Sequence, residues 1–248
     1  MTLRRLLPDP TQLTLEELYQ GLLLDDPAPG RPAHVALCLV ASADGAVAVD
    51  GLSGGLGGPA DLRALSQLRA ANDVSLVGAG TVRDENYVPL TGPPERRADR
   101  VAKGLRPVPR LAIVTASGRL DPELDVFSDP AEPPIVLTSR AADADRLAAI
   151  GDRAEVHVVA ETRLDAATIV TTLAELGLPR VLCEGGPRLN QVLLAGGHLD
   201  ELFLTLAPTL VGGPAPRIIT GDVEAATPLE LVSVYEHEGD LLLRYRRA

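Results

Sequence analysis

The sequence predicts an α/β fold, with a mostly parallel central sheet and an antiparallel hairpin at its C-terminal end. Between residues 34 and 200, short apolar runs typical of buried strands alternate with amphipathic segments typical of helices. Three extended runs then close the chain, and the last two flank the turn-forming pair Gly239-Asp240. A length of 248 residues is enough for one large domain with a buried core.

The individual strands and helices follow from the spacing of the apolar residues. A helix is predicted from Pro59, because proline is favoured at the first helical position and Leu62, Leu65 and Leu68 then share a face. Further helices are predicted over 141–150 and 165–176 and from Pro187 onward. Strands are predicted at 34–40, 74–77, 111–114, 135–137, 156–159, 180–183, 201–206, 229–235 and 241–245.

Residues 1–33 are predicted to be an appendage to a main domain that covers residues 34–248. Thr14 and Glu17 have the spacing of a helix capping box, and leucines follow on one helical face. The segment 25–32 is rich in proline and is typical of a connector. We therefore expect a helix and a connector that pack on the main domain or on a partner subunit.

The charge and composition exclude several classes of function. With 34 acidic and 23 basic residues the formal net charge is −11, which argues against a general nucleic-acid binder. Two Phe, four Tyr and no Trp leave few rings on which single-stranded bases can stack. No apolar run approaches the length of a membrane span or of a signal peptide, so we expect a cytoplasmic protein without a membrane partner.

Residue types with reactive side chains are sparse. Lys103 is the single lysine and follows no Gly-rich loop, so the sequence contains no P-loop. Cys38 and Cys183 each lie inside an apolar run and are predicted to be buried. The four histidines have no ligand spacing with these cysteines, and neither a zinc-deaminase motif nor another metal site is predicted.

Three candidate sites lie where a predicted strand ends, which is the edge at which open α/β sheets bind ligands. The first is Ser42-Ala43-Asp44-Gly45, which precedes a glycine-dense loop over residues 50–58. The second is Gly78-Ala79-Gly80-Thr81, which lacks the third glycine of a Rossmann fingerprint. The third is Glu184-Gly185-Gly186-Pro187, where a carboxylate, two glycines and a helix start can face a phosphate-bearing ligand.

Taken together, these segments resemble the reductase family of riboflavin biosynthesis. The ordered set is S-x-D-G at residue 42, a Gly/Ser loop, a helix ending in Leu68-Arg69-Ala70, V-G-x-G-T-V at residue 77 and E-G-G at residue 184. The family includes the C-terminal domain of bifunctional deaminase/reductases and stand-alone pyrimidine reductases, and the resemblance covers about residues 34–246. It implies a three-layer fold similar to that of dihydrofolate reductase.

The resemblance implies hydride transfer from NADPH to a 5-amino-6-ribosylamino-pyrimidine 5′-phosphate, whose ribosyl group becomes ribityl. The acceptor is expected to be the open-chain imine or carbonyl at the sugar C1, which the protein positions against the cofactor. We expect the accompanying proton to come from Asp44 or from an ordered water. The carboxylate of Glu184 is expected to orient donor groups of the pyrimidine. The resemblance also implies a homodimer.

The remaining site residues are carried over by their match to the family. Ser53, Arg69 and Glu184 are expected to contact the substrate. The expected cofactor contacts are Gly55, Thr81, Glu85, Thr115, Ser117, Gly185, Gly186, Pro187, Arg188, Leu189 and Asn190.

The sequence departs from the family pattern at three places. Glu85 stands where the family has Asp, and Gly55 stands where some members have an aromatic residue. A basic residue for the substrate phosphate is missing between Asn86 and Arg96, and the basic run over residues 96–110 either replaces it or is solvated. Two alternatives stay open: the same fold reducing a pterin or folate, and a dinucleotide-binding protein without catalysis.

Overall fold

The computed structural model describes residues 2–222 and 226–248, whose strands form one sheet. The strands are β1 (Thr2–Leu7), β2 (Thr11–Thr14), β3 (His34–Ser42), β4 (Val74–Gly78), β5 (Arg110–Val114), β6 (Ile135–Ser139), β7 (Glu155–Ala160), β8 (Arg180–Cys183), β9 (Glu201–Ala207), β10 (Leu229–His237) and β11 (Asp240–Arg247). The α-helices are α1 (Pro59–Arg69), α2 (Ala79–Asp84), α3 (Pro94–Ala102), α4 (Ala144–Ile150), α5 (Ala166–Glu175) and α6 (Pro187–Ala195). Short 3-10 turns lie at Leu15–Glu17, Ser53–Gly55, Asp125–Phe127 and Gly151–Arg153.

The sheet has the strand order β2-β1-β10-β11-β9-β3-β8-β4-β5-β6-β7. From β9 to β7 the neighbouring strands are parallel. From β9 to β2 they are antiparallel, and β10 and β11 form a hairpin that turns at Gly239. The predicted fold class, a mostly parallel sheet with an antiparallel C-terminal hairpin, is confirmed.

Helices cover both faces of the sheet, because side chains alternate between two apolar cores along each central strand. On β3, Val35 and Leu37 pack in one cluster with α5 and α6, whereas Ala36 packs in another with α1. On β5, Ile113 packs in a third cluster with α2 and residues 120–127. This layering leaves the carboxyl ends of β3, β4 and β8 together at one edge, where a ligand site is expected.

The helix predicted near the N-terminus is wrong. The segment instead forms a β1–β2 hairpin that pairs with β10, and a 3-10 turn follows Thr14. The capping-box contact is present, since the Thr14 amide donates to Glu17 Oε2 at 2.6 Å. The exposed edge of β10 offers the segment a ladder of hydrogen bonds, whereas a short helix in water is marginal. Leu3 and Leu18 are buried by this arrangement.

Two helices near the site were not predicted from the sequence. α2 begins directly after β4, and α3 occupies the first part of the basic run. With 6 and 9 residues, they are too short for a clear periodic pattern. Leu62, expected to face the core, is 64% exposed, because α1 turns Ala60, Ala64 and Leu68 toward the sheet instead.

Candidate active site

An open cleft lies at the carboxyl ends of β3, β4 and β8, where separate candidate segments of the sequence converge. Its walls come from the glycine-dense loop, α1, α2 and the turn between β8 and α6. The lining includes Cys38, Ser53, Asp61, Leu65, Thr81, Glu85, Tyr87, Glu184, Gly185, Gly186, Pro187 and Asn190.

The carboxylate of Glu184 is held from two sides of this cleft. Glu184 follows β8 directly, and its side chain is 3% exposed. Arg69, the last residue of α1, donates from Nε to Glu184 Oε1 at 2.9 Å and from Nη2 to Oε2 at 2.5 Å. The Tyr87 hydroxyl donates to Oε2 at 2.7 Å. A bidentate pair with a third donor fixes both the position and the plane of the carboxylate.

The protonation states of these three groups follow from their contacts. Burial raises the pKa of Glu184, but the charge of Arg69 and the hydrogen bonds from Arg69 and Tyr87 outweigh it, so the pKa lies below its ordinary value. Burial raises the pKa of the Tyr87 hydroxyl, and the Glu184 charge adds to the rise. Glu184 is therefore an ionised acceptor near neutral pH, and Tyr87 is a neutral donor.

One row of side chains on α1 forms a wall of the cleft. Asp61, Leu65 and Arg69 are spaced four residues apart, which aligns them along the helix. Asp61 was not among the residues predicted for the site, and its spacing from Arg69 was the available signal. Tyr87 was also missed, although it lies in the same segment as Thr81 and the chain has only four tyrosines.

Two glycine turns meet in the cleft. The Gly78 amide donates to the Gly185 carbonyl at 2.8 Å, which joins the turn after β4 to the turn after β8. A Cβ on Gly186 would lie 2.8 Å from Thr81 Oγ1, so the two turns approach closely because residue 186 has no side chain. Gly185 has a φ of 98°, a conformation that favours glycine, and the Gly185–Gly186 peptide bond is cis.

Ser53 and Glu85, expected to contact substrate and cofactor respectively, contact each other. The Ser53 amide donates to Glu85 Oε1 at 2.7 Å, which fastens the glycine-dense loop to the end of α2. Both residues line the cleft. The glutamate side chain, one methylene longer than that of aspartate, reaches across to the loop.

Of the cofactor contacts predicted at the start of α6, some line the cleft and others do not. Pro187 and Asn190 line the cleft, and Asn190 also donates from Nδ2 to the Ile218 carbonyl at 2.7 Å. Leu189 is buried in the apolar core and Arg188 is exposed, both outside the cleft lining. The first amides of α6 have no acceptor within the helix and can serve an anion.

Three further residues predicted to bind the cofactor lie outside the cleft lining. Gly55 lies in a 3-10 turn, where a Cβ would contact Val49 at 3.5 Å. Thr115 follows β5, and its hydroxyl accepts a hydrogen bond from the Gly118 amide at 3.1 Å. Ser117 is exposed at the same edge of the sheet. These contacts show how each turn is held, and the cofactor roles stay predictions.

The structure does not bring Asp44 into the cleft. Its carboxylate accepts hydrogen bonds from the Ser42 hydroxyl at 2.5 Å, the Val211 amide at 3.1 Å and the Gly212 amide at 2.7 Å. These bonds, that from Ser42 first, lower the pKa of Asp44 to about 2. An ionised carboxylate that ties two loops together does not suit the proton-donor role expected of Asp44.

The two cysteines differ in burial, contrary to the prediction. Cys183 is buried as expected, whereas Cys38 is half-buried and lines the cleft. Burial raises the pKa of the Cys38 thiol, and the charges of Asp61 and Glu184 add to the rise. The thiol is therefore protonated at neutral pH and behaves as a small apolar group in the cleft wall.

Much of the basic run has a structural role. Arg100 is fully buried, where Nε donates to the Arg106 carbonyl at 2.9 Å and Nη1 to the carbonyls of Arg69 and Asn72 at 2.9 and 2.8 Å. The guanidinium thus pins α3 to the end of α1. Other members of the run form ion pairs, namely Lys103 with Asp99, Arg106 with Glu132 and Arg110 with Glu155.

Arg96 differs from the rest of the run. It lies against α1, where its guanidinium donates to the Ser66 hydroxyl. Burial lowers the pKa of Arg96, and the neighbouring charges of Arg63 and Arg69 lower it further. The charges of Arg63, Arg69 and Arg96 act on one another and produce local positive potential in an acidic protein, although Arg63 and Arg96 lie outside the residues that line the cleft.

The fold and the cleft define an α/β domain with a ligand site at the carboxyl ends of its strands, and comparison with known proteins gives the family. The family model described as the RibD C-terminal domain matches residues 33–243. The chain therefore belongs to the RibD C-terminal domain family, which confirms the resemblance inferred from the sequence.

Individual relatives agree with this assignment. The 2,5-diamino-6-ribosylamino-4(3H)-pyrimidinone 5′-phosphate reductase of Methanothermobacter thermautotrophicus is 31% identical over 220 residues, which are 87% of this chain and 98% of that protein. A crystal structure of a pyrimidine reductase-like protein from Corynebacterium diphtheriae is 28% identical with a TM-score of 0.83, covering 95% of this chain and 99% of that one. A Saccharomyces riboflavin biosynthesis reductase, 19% identical with a TM-score of 0.65 over 94% of this chain and 99% of that one, shares the fold.

Proposed function

We propose that the protein is an NADPH-dependent reductase that converts the ribosyl group of a 5-amino-6-ribosylamino-pyrimidine 5′-phosphate to ribityl in riboflavin biosynthesis. The observation that carries the proposal is the Glu184 carboxylate, buried at the strand end and held ionised by Arg69 and Tyr87 beside two glycine turns. The name of the archaeal relative, a pyrimidinone phosphate reductase, supports the same substrate class.

The residues of the cleft fit a dinucleotide cofactor. Close approach of the turns at Gly78 and Gly186 leaves backbone rather than side chains facing the cleft, as the diphosphate of a dinucleotide requires. The first amides of α6 and the Thr81 hydroxyl are donors for that anion. When bound, reduced nicotinamide supplies the hydride, and this chain holds the acceptor beside it.

Glu184 is the proposed anchor for the pyrimidine. An ionised carboxylate accepts hydrogen bonds only, so it pairs with ring N–H and amino donors and not with carbonyl oxygens. Arg69 and Tyr87 fix the plane of the carboxylate, and this fixes the plane of the ring. Ser53, on the loop held by Glu85, lies in the same cleft and is the second proposed substrate contact.

Arg96, with Arg63, is the proposed anchor for the substrate phosphate. The Arg96→Met variant is expected to raise KM for the phosphorylated substrate about 10- to 100-fold, since a hydrogen bond to a charged group contributes about 1.5–3 kcal/mol. Steady-state kinetics measure this effect, with the exposed neighbour Arg97→Met as the matched control. With the dephosphorylated substrate, Arg96→Met and the wild type should be equal. A loss that persists with that substrate contradicts a phosphate contact.

The proposed activity is tested by oxidation of NADPH in the presence of each acceptor. We expect turnover of the ribosylamino-pyrimidine phosphate and none of dihydrofolate or a dihydropterin. Turnover of the pterin alone contradicts the proposed substrate. Binding of NADPH without reduction of either acceptor would indicate a dinucleotide-binding protein without catalysis. Absence of NADPH binding would contradict the assignment of the two glycine turns and the start of α6 as the cofactor site.

The homodimer and the cytoplasmic location stay predictions. Leu210, in the segment after β9, is 79% exposed, and a second copy of the chain that covered it would bury apolar surface. Sedimentation in solution tests the dimer. Within residues 2–222 and 226–248, none of the helices has the length and apolar character that crossing a bilayer requires.

A further inference from the structure

Asp61 is a second carboxyl group in the cleft, and its surroundings are the reverse of those of Glu184. It lies in the first turn of α1 and lines the cleft. Its carboxylate accepts a hydrogen bond from the Thr205 hydroxyl on β9, and the charge of another acid, Asp240 of β11, acts on it.

The position of Asp61 is set by the backbone of the glycine-dense loop. A Cβ on Gly57 would collide with the Asp61 carboxylate, so the absence of a side chain at residue 57 makes room for this acid. The neighbouring Gly58 amide donates to Asp240 Oδ2 at 3.2 Å. The same short segment therefore holds two acids next to each other at the base of α1.

The pKa values of the two carboxyl groups of the cleft are shifted in opposite directions. Burial raises the pKa of Asp61, and although the Thr205 hydrogen bond opposes this, the Asp240 charge adds to the rise. Cys38 of β3 lines the cleft together with Asp61 and Glu184, and the charges of both acids raise the pKa of its thiol. Two carboxyl groups whose surroundings displace their pKa values in opposite directions define an acid and an acceptor.

We propose that Asp61 is the proton donor of the reduction, an inference that rests on the proposed function. Bound reduced nicotinamide would supply the hydride for the new C–H bond at the sugar C1 of the open-chain imine. The C=N π bond breaks toward nitrogen, and that nitrogen takes the proton of the Asp61 carboxyl group. Water returns a proton to the Asp61 carboxylate after the product leaves. Substrate and cofactor exclude water from the cleft, which favours the protonated acid before the reaction.

The first test is the Asp61→Asn variant, which keeps the size of the side chain and removes the acid. We expect kcat to fall about 10²- to 10⁴-fold, the usual contribution of a general acid, while the dissociation constant of NADPH stays unchanged. Asp61→Glu keeps an acid and should recover part of the lost kcat. Glu184→Gln is the comparison for the other carboxylate, and it should raise KM instead.

The second test needs no turnover. Carboxyl ¹³C resonances of the ligand-free protein are titrated, and Asp61→Asn identifies the resonance of Asp61 by its loss. Asp240→Asn removes the neighbouring negative charge, so the Asp61 resonance should titrate at lower pH than in the wild type. The pH profile of kcat/KM reports the free enzyme, and its alkaline limb, where the acid loses its proton, should move to lower pH by the same amount.

The outcomes separate this proposal from the function on which it rests. An active wild type whose Asp61→Asn variant keeps full kcat overturns the proton-donor role and leaves the reductase assignment standing. An Asp240→Asn variant that shifts the resonance but not the pH profile also overturns it. A wild type that binds NADPH but does not reduce the ribosylamino-pyrimidine phosphate overturns the proposed function, and the proton-donor role with it.

Discussion

The Arg69→Met variant is expected to lose about 3–5 kcal/mol of its free energy of unfolding and nearly all turnover of the pyrimidine substrate. The reason is that Glu184, whose side chain is 3% exposed, would keep its negative charge without the cation that balances it. The pyrimidine anchor would also lose two of its hydrogen bonds and its fixed plane. Urea unfolding and steady-state kinetics measure the two effects.

A double variant separates stability from function. In Arg69→Met/Glu184→Met both charges are absent, and replacing a buried ion pair by apolar residues of similar size is often neutral for stability. We expect unfolding free energy to return toward the wild-type value while activity stays lost. Recovery of activity in the double variant would show that the pair is structural only.

The pH dependence of the single variant gives an independent check. Without Arg69, the Tyr87 hydrogen bond still lowers the pKa of Glu184, but the charge that opposed burial is gone, so we expect the folded pKa to rise above the unfolded value of about 4.3. The destabilisation is then largest above the folded pKa and is relieved as the pH falls toward the unfolded value. In the wild type, where the pKa of Glu184 is lowered, stability is instead lost as the pH falls. As the pH falls in the acid range, we therefore expect the free energy of unfolding to rise in the Arg69→Met variant and to fall in the wild type.

The second large effect is expected from Gly185→Ala. Gly185 has a φ of 98°, where a Cβ is strained, so we expect a loss of about 1–3 kcal/mol in the free energy of unfolding. Its carbonyl accepts from the Gly78 amide, and Glu184 precedes it in the chain. Relief of the strain would shift the Glu184 carboxylate together with the two glycine turns. A misplacement of about 1 Å costs about 100-fold in turnover.

Gly177→Ala is the matched control. Gly177 has a φ of 76°, has open space where a Cβ would stand, and follows α5 away from the cleft. It should lose stability by about 1–2 kcal/mol through the same backbone strain and keep wild-type kcat/KM. Equal losses of turnover in the two variants would attribute the effect at Gly185 to stability rather than to the site.

The sequence was most informative where one local rule decides the structure. Strand β8 is an arginine followed by the apolar run Val181-Leu182-Cys183, and α6 begins at Pro187, because proline is favoured at the first helical position. The E-G-G motif placed Glu184 at a strand end, because a strand that precedes two glycines and a helix start has little choice of geometry. These features depend on short stretches of chain.

The remainder depended on contacts between distant segments. Strand β1 pairs with β10, which lies more than 200 residues away in sequence, and no local pattern reveals the free edge of β10. Asp44 lies in the S-x-D-G motif, but its carboxylate accepts hydrogen bonds from the amides of residues 211 and 212 and is not brought into the cleft. Asp61 and Tyr87 belong to the site only because α1 and the chain after α2 meet over Glu184, which is a matter of packing.

Arg100 gives the proposed site a consequence for substrate choice. Its buried guanidinium joins α3, which carries Arg96, to the carbonyl of Arg69, which orients Glu184. The proposed phosphate anchor, Arg96, and the proposed pyrimidine anchor, Glu184, are thereby parts of one rigid unit and do not move independently. If both proposed anchors bind the substrate, such a unit would select substrates by the distance between phosphate and ring, and a molecule with the right groups at the wrong spacing could contact only one anchor.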